Sequence, residues 1–209
     1  MAKKAGAGTI LLAGVLAMAL ANSDEGQQAS APTPGAGSVP VLTGLAASQQ
    51  AARQGDFATA AARLGLRAGP SSRRRDTNCA AHATGQVRQY LRRNPCRYVD
   101  RLLFTIRDSR GGTMAVAVAW VTFRTPAQAR GFKQIDDTWG TGQIVPLPGA
   151  AAGIPDVRLS GQHYRSRRNG ALAVAAEAEP VTGQQGDRLL DQVAGVAVLL
   201  PHAPPPSDK

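Results

Sequence analysis

The chain has 209 residues, of which 43% are apolar but only 4% aromatic, and its formal charge is +10. That length leaves room for one ordinary domain with flexible ends, or at most two small ones. Because the apolar share is carried largely by alanine, a core of big side chains is excluded and a covalent staple gains weight. The arginine excess predicts adhesion to anionic surfaces without specifying a partner.

Residues 1–22 place Lys3 and Lys4 ahead of an apolar run from Thr9 to Ala21, and Asp24 and Glu25 follow. This is the layout of an export signal, with Ala19-Leu20-Ala21 fitting a small-x-small cleavage pattern; an uncleaved N-terminal membrane anchor is the alternative. In both cases the body faces outward, either secreted or held at the plasma membrane. Residues 23–41, rich in Pro, Gly, Ser and Ala, read as a disordered linker. Residues 42–68 suggest two short helices broken at Gly55-Asp56, a small helical segment ahead of the main domain. Gly69 to Thr77, GPSSRRRDT, reads as a basic loop.

The main α+β domain is expected over 76–201. A helix capped by Asp76 or Asn78 runs to about Arg93, with Ala83, Val87, Tyr90 and Leu91 on its apolar face, until Asn94-Pro95 stops it. Strands follow at 97–107 and 113–123, the second apolar on both faces and therefore central. Thr125-Pro126 then opens a helix with Ala129, Phe132, Ile135 and Trp139 as its buried stripe. A Gly/Pro loop, 140–155, leads to a second unit, with strands at 157–168 and 171–179 around Asn169-Gly170 and a helix over 187–200. The tail, 202–209, reads as disordered. The expected architecture is a four-stranded antiparallel sheet made of two strand-strand-helix units, preceded by a disulfide-linked helix. Helices lie mainly on one face, and the other face is open for docking.

Cys79 and Cys96 flank the first helix of the domain. In an exported chain such a pair forms a disulfide, worth roughly 3 kcal/mol in the chain-entropy model. A helix of about fourteen residues is about 21 Å long, so the bond requires a shorter or later helix than the one drawn. A metal site from Cys79, His82, Cys96 and His163 is the weaker alternative, because structural zinc sites show two close ligand pairs and here there is one.

Paired acids occur at Asp136-Asp137 and at Glu177 and Glu179, the latter two on one sheet face by alternation. Two carboxyls at such spacing are the equipment of a glycan hydrolase. The competing explanation is cross-strand pairing with Arg165, Arg167 and Arg168. No nucleophile elbow, HExxH, phosphate-binding GK[ST] or cofactor fingerprint is present, so no cofactor is expected. The arginines at Arg92, Arg93, Arg165, Arg167 and Arg168 are candidate contacts to anions, while the export signal argues against nucleic acid.

The segments NPCRYVDRLLFTIRD, DDTWGTG, GQHYRSRRNGA and AEAEPVTG resemble a group of exported or single-span envelope proteins of high-GC actinobacteria with no assigned biochemical role. The similarity covers about Cys79 to Pro201 and implies an envelope location without implying an active site. Taken together, the residues point to a noncatalytic extracytoplasmic interaction module that binds an envelope protein or an anionic envelope polymer or lipid. The alternatives are a wall-directed hydrolase using Glu177 and Glu179 and a nonspecific polyanion binder.

Overall fold

The computed structural model describes residues 39–202, with side chains from Gly44 onward. The export segment, almost all of the linker and the last seven residues lie outside the described residues. Among those described, no helix is long and apolar enough to cross a membrane.

The chain is α+β, with one antiparallel five-stranded sheet in the order β1-β2-β3-β5-β4. Helices α1 (Val39–Arg53) and α2 (Phe57–Arg63) come first, then β1 (Arg67–Asp76), a 3-10 turn at Cys79–His82 and α3 (Gly85–Arg93). β2 (Tyr98–Arg107) and β3 (Thr113–Thr122) form the first hairpin, followed by α4 (Pro126–Asp136). After a long loop, β4 (Tyr164–Asn169) and β5 (Leu172–Thr182) form the second hairpin, and α5 (Asp187–Ala197) closes the fold.

The sheet has one strand more than expected, because the basic loop GPSSRRRDT is most of an edge strand. Gly and Pro suggest a loop, but an edge strand tolerates both, and the β1/β2 register shifts between Ala68 and Ser71, where they sit. Two of its arginines are held against the sheet. Arg75 forks onto the buried Asp100 at 2.7 and 3.0 Å and lies over the Tyr98 ring at 4.4 Å, while Arg73 lies over Trp120 at 5.0 Å. His202 reaches the same carboxylate from the C-terminal segment and stacks on Tyr98.

β3 is central, as its two apolar faces require, and both faces are covered. On one face Phe104, Val116, Trp120 and Val174 pack against alanines of α1 and α2 and against Leu190 and Val193 of α5. The small helix residues allow this close approach, and the buried Ser48 hydroxyl donates to Ala60 O across the α1/α2 contact. On the other face Val99 and Val121 lie under Val87 and Leu91 of α3 and Phe132 of α4, and Leu103 and Ala115 lie under Leu147 and Ala152 of the long loop. The open docking face expected from the sequence is therefore absent. Helices divide between the faces, and the Gly/Pro loop covers what α3 and α4 leave bare.

Cys79 and Cys96 form a disulfide, their Cα atoms 6.3 Å apart. The helix between them starts late, at Gly85, and has nine residues, which brings its length down to about 13 Å and lets Cys96 return toward Cys79. With both sulfurs in this bond the metal alternative loses two of its ligands, and His82 instead sits 3.2 Å from Asp76. The segment after Cys79 is then stitched to the long loop. Val145 N donates to His82 O, Thr84 N to Gln143 O and Gln86 N to Thr141 O. Gly85 and Gly142, both at positive φ, make that crossing possible, because a Cβ on either would lie within 2.4 Å of backbone in the other segment.

Candidate acid-lined site

The site forms where small residues leave space. Ala117 and Ala119 of β3 and Ala175 of β5 share one sheet face and form a low floor, over which the loop passes with Ile144, Pro146 and Leu159. The result is a small half-open recess of about 30 Å³, continuous at Asp136, Gln143, Tyr164 and Glu177 with a larger outer cleft of about 320 Å³ bounded by Trp139 and Gly161.

Three elements supply its polar groups. Asp136 ends α4 on the buried stripe with Ala129 and Phe132. Tyr164 lies directly opposite Glu177 in the β4/β5 ladder and donates its hydroxyl to Asp136 Oδ2 at 2.9 Å and to Asp137 Oδ1 at 3.1 Å. Glu177, 4% exposed, accepts the Gly161 N–H, and Glu179 accepts the N–H and hydroxyl of Ser160. Asp137, by contrast, is neutralised by Lys133.

Burial first, and then the nearby Asp137 charge, push the Asp136 carboxyl up to about 6 against the lowering effect of the Tyr164 hydroxyl. Burial also raises Glu177, to about 7, with the charges of Glu179 and Asp136 adding to it and the Gly161 N–H opposing. Tyr164 is raised by burial and by Asp136, so its proton stays in place. Neither Asp136, Glu177 nor Glu179 forms an ion pair with any described residue.

The cross-strand explanation for the glutamates fails on geometry. The hairpin pairs Asn169 with Leu172, two positions away from a register turning on Asn169-Gly170, and Arg165 and Arg167 face the opposite side of the sheet. Arg165 reaches Asp191 at 3.3 Å. Arg167 donates to Val198 O and Leu200 O at the end of α5, capping carbonyls that lack helical donors. Arg168 donates to Gly170 O, and Arg92 and Arg93 are exposed on α3. The five candidate anion contacts are thus spread over different elements and faces. His163, a candidate metal ligand, is buried beside Asp191 at 3.3 Å.

Trp139 corrects a further expectation. α4 ends at Asp136, one turn before the buried stripe could include it, so Trp139 is 83% exposed at the cleft. The signal available in the sequence was the spacing 129, 132, 136, which puts an acid and not the tryptophan on the buried face. Trp139 and Val145 are the two exposed large apolar side chains among the described residues, and they border the outer cleft and the inner recess respectively. Among the described residues no group of three or more His, Cys, Asp or Glu is placed to hold a metal ion. Comparison of the chain with family models, curated proteins and solved structures finds no match.

Proposed function

We propose that the chain is a noncatalytic, extracytoplasmic binding module whose ligand occupies the outer cleft and its inner recess between α4, β5 and the loop 140–163. The observation that carries this reading is the coincidence, in one place, of unpaired buried carboxyls, a hollow and the exposed Trp139. Buried acids are ordinarily neutralised by a cation of the protein itself, and large apolar side chains are ordinarily covered. Both departures from that pattern are explained by something the hollow receives. The extracytoplasmic location draws on the export segment and on the disulfide, which suits an oxidising compartment. The arginine rim carries less of the reading than the sequence suggested, because Arg165 and Arg167 have partners within the fold.

A Trp120→Phe variant leaves Trp139 as the sole tryptophan reporter. Titration with soluble envelope amines, saccharides and short peptides is expected to shift its emission, and Asp136→Asn is expected to remove the shift. Emission unmoved by every class of solute would sink the proposal.

A second reading is favoured by one observation. A carboxyl held near neutrality, as Glu177 is, suits a general acid, and Asp136, not Glu179, is the second carboxyl lining the hollow with it. Wall-polymer turnover that survives Glu177→Gln would remove the hydrolase reading.

A further inference from the structure

We infer that the site takes a neutral acetamido sugar, with the acetyl group filling the recess against Arg101 and the sugar ring lying in the outer cleft on Trp139. This rests on the reading of the cleft and recess as the ligand site and names the chemical class of the ligand.

Three observations, each of a different kind, lead there. The first is an orphaned donor. Arg101 stands in one row with Ala119 and Ala175 across β2, β3 and β5, and its side chain, 10% exposed, lines the recess. Its Nη1 donates to Val145 O and its Nη2 to Asp76, but its Nε has no partner among the described residues. A buried N–H without an acceptor is costly, and a carbonyl oxygen entering the recess supplies one. The second is size. A water-sized atom needs roughly 10–15 Å³ of such space, so 30 Å³ admits the methyl and oxygen of an acetyl group and leaves the remainder of a ligand in the 320 Å³ cleft. The alanine floor gives that methyl its contact. The third is Trp139, which packs on Gly161, where a Cβ would meet it at 3.3 Å, and leaves most of its ring exposed at the cleft. The C–H face of a sugar ring loses water against such an indole, while the polar groups around it are free to meet the hydroxyls.

The charges around the recess select against other groups of that size. A cation entering it meets the Arg101 guanidinium, and an anion meets Asp136 and Glu177. A neutral amide escapes both penalties. Its oxygen faces Arg101, and its N–H lies at the junction of recess and cleft, where Asp136, Gln143 and Glu177 line both spaces and offer acceptors. Lys133 is taken by Asp137, and the Tyr164 hydroxyl by Asp136 and Asp137, so neither competes for the amide.

The test is NMR titration of the whole chain with N-acetylglucosamine. Glucose, glucosamine and N-methylacetamide serve as counterparts that lack the acetamido group, carry an ammonium in its place, or lack the ring. The acetamido sugar is expected to bind at least tenfold more tightly than each of them and to shift the Nε–H resonance of Arg101. Ala175→Val, which fills the recess from a half-buried position, should remove the preference over glucose and leave glucose binding as it was. Trp139→Ala, at an exposed position that leaves folding intact, should weaken both sugars severalfold. Equal binding of the four solutes, an Arg101 resonance unmoved at saturation, or no binding of the acetamido sugar at 50 mM overturns the inference. Glucose bound as tightly as the acetamido sugar, with both lost on Trp139→Ala, would leave the cleft reading standing and remove the acetamido group. N-methylacetamide bound as tightly as the sugar would remove the ring. Sugars that bind indifferently to both substitutions would remove the cleft reading too.

Discussion

Asp136 and Glu177 hold their protons to a higher pH than they would in an unstructured chain, because the folded state buries them beside other acids. The folded state therefore binds more protons than the unfolded one between about pH 4 and pH 7, and its stability falls as pH rises through that window. For Asp136 alone the full effect is about 3 kcal/mol. The urea midpoint is expected to drop between pH 4.5 and pH 7.5, and Asp136→Asn with Glu177→Gln to level it; a midpoint that climbs over that range contradicts the assignment. At this scale the sequence was half legible. Alternation correctly put Glu177 and Glu179 on one face, and the spacing in α4 put Ala129 and Phe132 in the core. It missed Tyr164 as the link between Asp136 and Glu177, since that link depends on a hairpin register shifted by two residues, which preserves every residue's face while changing its partner.

Among the elements, β1 shows most clearly where composition misleads. Arg73 and Arg75 contribute to the fold through Asp100 and the rings of Tyr98 and Trp120, and none of those partners is visible from GPSSRRRD itself. Burial works to raise the Asp100 carboxyl, but Arg75 and His202 outweigh it and hold the group below the usual carboxylate range. Its contribution is present above the unfolded value near pH 4 and is lost as pH falls through the lower folded value, the opposite sense to Asp136. Asp100→Asn at pH 7 should cost about 3 kcal/mol, since it removes charge-assisted bonds from a buried position; a loss below about 1 kcal/mol in urea unfolding would show that Arg75 and His202 find other partners. The disulfide was legible from the expected export and from the cysteines flanking one helix, and its geometric difficulty disappears once α3 starts at Gly85. Replacing Cys79 and Cys96 with alanine should lower stability by roughly 3 kcal/mol, read as a lower melting temperature that reductant no longer changes.

On the scale of the whole molecule, two strand-strand-helix units and a central β3 were legible because apolar periodicity reports burial directly. The covering of the second sheet face was not, because the loop 140–163 holds its place through backbone bonds to residues 82–86 and through a few scattered apolar side chains, a pattern with no period. The C-terminal segment extends the same logic on the first face, where Leu200 O receives the Trp120 indole N–H and His202 joins Asp100. Truncation before Pro201 should therefore destabilise the sheet end, which faster amide exchange in β1 and β2 would show; exchange unchanged by the truncation would mean that the segment is only an appendage. The stitch between residues 82–86 and the loop also ties the recess to the covalent bond. One wall of the recess hangs from the few residues that follow Cys79, so the disulfide sits directly behind that wall. Reduction is therefore expected to loosen the wall before it loosens the sheet, and the shape of the recess becomes sensitive to the redox state of a bond that contributes nothing to its lining.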